Sequence, residues 1–93
     1  MTKAKFNVAK KQFIQAFCRL KTPKETNEFL SDLLSRVELE EFTRRFLAAR
    51  RLNEGRTYLE VSRETGLSST TVARVSKCVQ RKNSGYKLVL SRF

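Results

Sequence analysis

TYLEVSRETGLSSTTVARVSKCVQR, residues 57 to 81, sets an uncharged hydroxyl run, Ser68 to Thr71, between two apolar-periodic segments of a strongly basic chain. Thr57 and Glu60 stand at capping-box spacing, so a short helix opens there and runs through Glu64. Gly66 can take the positive φ that a sharp bend demands, and Ser68 is suited to cap a second helix. Val61, Leu67, Val72 and Val75 supply apolar contacts that hold two helices at one angle, while Ser62 is small enough to let them approach. The spacing predicts a helix-turn-helix over residues 58–77. An ordinary αα-hairpin uses similar turn chemistry, and the charge distribution decides against it.

That distribution is lopsided. The 93 residues carry 20 Lys and Arg against 9 Asp and Glu, a net charge of +11, and every acid lies between Glu25 and Glu64. Both ends of the chain are therefore purely cationic, which suits a polyanion such as nucleic acid or an anionic membrane surface. A solubilising charge excess is the plainer reading of the total, but it does not account for the placement.

On a helical wheel Val72, Val75 and Val79 point inward, leaving Thr70, Ala73, Arg74, Lys77 and Arg81 outward. Ser68 then caps the helix, and Ser69 and Thr70 form the N-terminal turn that such motifs present to the major groove. Small hydroxyl side chains there allow close approach to base edges. Lys77 and Arg81, with Lys10 and Lys11 near the start of the chain, are placed for phosphates.

Upstream, the pattern is helical throughout. Phe13, Ile14, Phe17, Cys18 and Leu20 predict a first helix over Lys10–Lys21, preceded by a loose basic arm. Thr22, Pro23 and Glu25 combine a capping hydroxyl, a proline at the first helical position and a capping-box acid, opening a second helix that breaks near Ser35. A third helix runs from Glu38 past Leu52, with acids early, arginines late and Gly55 as its C-cap. The run VLSRF at residues 89–93 is too short to classify: a last helical turn and an irregular tail both fit.

The resulting expectation is an all-α, single-domain helical bundle. It comprises a basic arm and first helix (1–21), dimerisation helices (22–55), a helix-turn-helix (57–82) and a C-terminal tail (83–93). So short a chain buries a modest share of its surface, and the apolar stripes on three helices predict a homodimer. Cys18 and Cys78 are isolated and the chain lacks histidine, so neither a metal site nor a thiol–imidazole pair is expected. Both cysteines fall at apolar-periodic positions, where a buried thiol is the default. No glycine-rich phosphate loop or paired catalytic acids are visible, so neither an enzyme nor a cofactor is expected. The absence of a signal- or membrane-length apolar run predicts a cytoplasmic location without membrane attachment.

The stretch LLSRVELEEFTRRFLAARRLNEGRTYLEVSRETGLSSTTVARVSKCV, residues 33–79, with GYKLVL at 85–90, resembles the tryptophan repressor superfamily, most closely its YerC/YecD-type branch. The resemblance implies an intertwined all-helical homodimer whose helix-turn-helix units enter successive major grooves of double-stranded DNA, acting as a transcriptional repressor. In the tryptophan-sensing members the indole is held by positions matching Arg45, Thr71, Arg74 and Val75. Val75 stands where those members carry the glycine that makes room for the ligand, so tryptophan is not expected as corepressor; another small molecule is left open. A similar motif in region-four domains of sigma factors gives the alternative function, an adaptor that binds the transcription machinery through protein contacts.

Overall fold

The computed structural model describes all residues, Met1–Phe93. It contains α1 (Lys3–Cys18), α2 (Pro23–Leu33), α3 (Arg36–Asn53), α4 (Tyr58–Thr65), α5 (Ser69–Gln80) and α6 (Gly85–Leu90), and no strand. Two compact units divide the chain, residues 1–36 and residues 37–93.

In the first unit, α1 begins seven residues earlier than the apolar periodicity indicates, at Lys3 rather than Lys10. The basic arm is therefore helical, because Thr2 caps it: the Thr2 hydroxyl accepts from the Lys5 amide at 3.2 Å. Thr22 caps α2, its hydroxyl accepting from the Glu25 amide at 3.1 Å, and the Glu25 carboxylate accepts from the amide of Lys21, one residue before the cap, at 2.8 Å. Edge-to-face contacts run Phe13–Phe17–Phe29, with centroids 5.1 and 5.3 Å apart, and join α1 to α2. No residue of either helix is buried. Cys18, expected inside, is exposed, and Cys78 is half-buried. The exposure of Cys18 is shared by its helix: no residue of α1 is buried, and even Phe13 and Phe17 stay exposed.

The second unit holds the core: Ala48, Ala49, Val61, Leu67, Val72, Val75 and Val79, with Leu52 and Tyr86 packed against it. Val61 and Val72 are fully buried, and each contributes about 1.5–3 kcal/mol relative to exposure. Ala48 and Ala49, both fully buried, are the contribution of α3 to this cluster. At the end of α3, Gly55 takes φ +87°, the Gly55 amide bonds the Leu52 carbonyl at 3.0 Å, and the Arg56 amide bonds the Arg51 carbonyl at 3.1 Å. These bonds complete a Schellman stop. Arg51 then ties the two helices together, donating through Nε to Glu64 at 3.0 Å and through Nη1 to Glu54 at 3.1 Å. Its hydrogen bond with Glu64, seconded by that with Glu54, raises its pKa further. The C-terminal run, unclassifiable from sequence, contains α6, which Ser84 caps by accepting from the Lys87 amide at 3.2 Å.

Candidate nucleic-acid interface

Thr57 opens α4 by accepting from the Glu60 amide at 3.2 Å and donating to the Glu60 carboxylate at 3.0 Å. The Thr57 side-chain bond, followed by its backbone, holds the Glu60 carboxyl below the usual range. The stabilisation is accordingly complete above the ordinary carboxylate pKa and is lost as pH falls through the lowered one.

The turn is closed by its own side chains. Gly66 sits at φ +74° with its amide on the Ser62 carbonyl at 2.9 Å. Ser62 Oγ donates to the Leu67 carbonyl at 2.6 Å, and Thr65 Oγ1 donates to the Val61 carbonyl while accepting from the Leu67 amide. These four bonds tie the bend to the end of α4 and fix the direction in which α5 leaves.

Ser68 caps α5 by accepting from the Thr71 amide at 3.2 Å and donating to Thr71 Oγ1 at 3.1 Å. A second fastening lies 18 residues upstream of its acceptor: Tyr58 Oη donates to the buried Ser76 Oγ at 2.7 Å, and Gln80 Nε2 donates to the same atom at 3.0 Å. Tyr58→Phe is expected to lower stability by about 1 kcal/mol in urea denaturation, since one part-buried bond is lost while Gln80 keeps Ser76 satisfied. No local pattern around Tyr58 or Ser76 signals this clamp, which depends on the interhelical angle.

α5 sorts its residues by face. Val72, Val75, Ser76 and Val79 are buried, and Ser69, Thr70, Arg74 and Lys77 are exposed, as are Ser68 and Arg81 at its ends. Ala73 is half-buried. Thr70, Arg74, Lys77 and Arg81 recur at i, i+4, i+7 and i+11, one stripe about 17 Å long at 1.5 Å per residue. Lys10 and Lys11 lie exposed on α1 in the other unit.

Of the residues matching a ligand site, Val75 belongs to the core at 4 % exposure, whereas Arg74 is turned outward. Thr71 is half-buried and engaged with Ser68, and Arg45 pairs with Glu41 at 3.2 Å on α3.

Ion pairing sharpens the charge pattern. Glu41, Glu54, Glu60 and Glu64 pair with Arg45, Arg51 and Arg56, all on α3, α4 and their joining turn. Residues 65–93 contain six cations and no acid, and none of the six is ion-paired. The acids of this unit are thereby spent on the scaffold, and the surface of α5 and α6 is left positive.

Two helices locked by a self-closed turn, the second with an exposed face of small, hydroxyl and cationic residues, define a helix-turn-helix unit of the regulatory type. Residues 9–93 match the model of the Trp repressor protein family, and the chain belongs to that family. The uncharacterized protein YerC of Bacillus subtilis is 35% identical over 81 residues, spanning 87% of this chain and 78% of YerC. The crystal structure of a TrpR-like protein from Eubacterium eligens superposes with a TM-score of 0.83 at 36% identity, covering 90% of this chain and 87% of that one. A candidate Trp repressor from Staphylococcus aureus superposes with a TM-score of 0.85 at 26% identity, covering 99% and 94%. The family is regulatory rather than enzymatic. No helix is long and apolar enough to cross a membrane.

Proposed function

We propose that the chain is a sequence-specific repressor that binds double-stranded DNA as a homodimer in the cytoplasm, with α5 in the major groove. The observation that carries this reading is the stripe Thr70, Arg74, Lys77, Arg81: exposed, free of acidic partners and on a helix whose direction is fixed by the turn. Ser68, Ser69, Thr70, Ala73 and Arg74 face base edges, and Lys77, Arg81, Lys10 and Lys11 face phosphates. A second copy is called for by the apolar side chains left open on α3, among them Val37 at 75 % and Phe42 at 49 % exposure, which a partner subunit would cover.

Val75 takes up core space, so tryptophan is not required. The experiment is a titration of the wild-type chain, Thr70→Ala and Lys77→Gln against operator and random duplexes at several salt concentrations, with and without tryptophan. Thr70→Ala should lose about 1–3 kcal/mol on the operator alone. Lys77→Gln should weaken both duplexes alike and lower the salt slope by roughly one. Equal losses on both duplexes for both variants would remove the reading surface, and an affinity that rises with tryptophan would overturn the account of Val75.

A further inference from the structure

The positive surface does not end with α5. Beyond Arg81, the residues Lys82, Asn83, Ser84, Gly85, Lys87 and Leu88 line an open cleft of about 480 Å³ between the end of α5 and the first turn of α6. Both lysines are exposed, and neither has an acidic partner. Asn83 adds an exposed amide at the same rim. Because the whole segment from Thr65 onward lacks acids, nothing local neutralises this cleft, and a polyanion is the partner that gains most from it.

Its position names the polyanion's part. The stripe on α5 is about 17 Å long, whereas the major groove is about 12 Å wide and 8.5 Å deep. With Ser69 and Thr70 at the floor of the groove, the far end of α5 has passed the groove edge, where the phosphodiester backbone forms the rim. We propose that Lys82 and Lys87, with Asn83 between them, clasp the DNA phosphate backbone at that rim and set how deeply α5 enters. The cleft lies beyond the part of α5 that enters the groove, so its two lysines and the Asn83 amide meet the phosphate rim rather than base edges. It therefore supplies affinity and register and carries no base preference. This inference rests on the DNA-binding reading above.

The test uses the full chain as Lys82→Gln/Lys87→Gln, with Lys82→Arg/Lys87→Arg as the charge-keeping control and circular dichroism to verify the helices. Binding to operator and random duplexes is followed between 50 and 200 mM salt. The expected result is a salt slope smaller by roughly two and affinities lower by on the order of tenfold per lost contact on both duplexes. Operator preference should be unchanged and the arginine pair should match wild type. A wild-type slope in the glutamine pair, with wild-type DNA binding intact, would overturn the clasp and leave the DNA-binding reading standing. A loss confined to the operator would overturn it too, by making the cleft a reader of bases. Failure of the wild-type chain to bind any duplex would overturn both.

Discussion

Val72→Asp is expected to unfold residues 37–93. Val72 is fully buried on α5 in the apolar cluster of Ala48, Ala49, Val61, Leu67, Val75 and Val79, and the buried hydroxyls of the unit, those of Thr65, Ser76 and Ser84, are already engaged in hydrogen bonds. Bringing an ionised carboxyl into such surroundings costs several kcal/mol, and removing the valine forfeits about 1.5–3 kcal/mol more. Small domains have about 5–15 kcal/mol in all, so the helical signal of the unit should be lost at 25 °C. A chain with wild-type circular dichroism and melting would mean that α4 and α5 are not held by this cluster.

Ser69→Asp should do the reverse, sparing the fold and removing the DNA binding proposed above. Ser69 is exposed in the first turn of α5, where a carboxylate faces the positive end of the helix dipole and adds about 0.3–1 kcal/mol of stability. Set at the floor of the groove, the same charge meets phosphates on both sides, and a like-charge juxtaposition of this kind costs several kcal/mol. Affinity for duplex DNA is expected to fall by on the order of a hundredfold while the melting temperature holds or rises. Thermal melts and fluorescence anisotropy on one preparation decide it, and undiminished binding would place α5 away from DNA.

The helix-turn-helix was legible because each of its signals is local. Thr57 with Glu60 and Thr22 with Glu25 stand at capping-box spacing and each threonine accepts from the amide of its acid, Gly66 stands alone between apolar runs, and Val61, Leu67, Val72 and Val75 are all buried as their spacing requires. Helix ends lacking the acidic partner were harder to read. Thr2 and Ser84 cap α1 and α6 with Lys5 and Lys87 at the third position, so hydrophobic periodicity alone set the first helix too late and left the last undecided. The split of exposed from buried residues on α5 followed from the wheel. The Tyr58–Ser76 bond and the cleft at Lys82 and Lys87 did not, because each depends on where separate helices come to rest. Cys18 shows the limit of periodicity, which cannot tell a covered stripe from an open one.

The turn between α4 and α5 satisfies its polar groups from Ser62, Thr65 and its own backbone, and the cap of α5 comes from Ser68. Ser69, Thr70, Arg74 and Lys77 are therefore relieved of any part in holding the bend together. On the DNA-binding reading proposed above, the exposed face can be re-lettered independently of the hinge that aims it: paralogues could acquire different operators by exchanging Ser69, Thr70 and Arg74, without each exchange having to be matched by repairs to the scaffold.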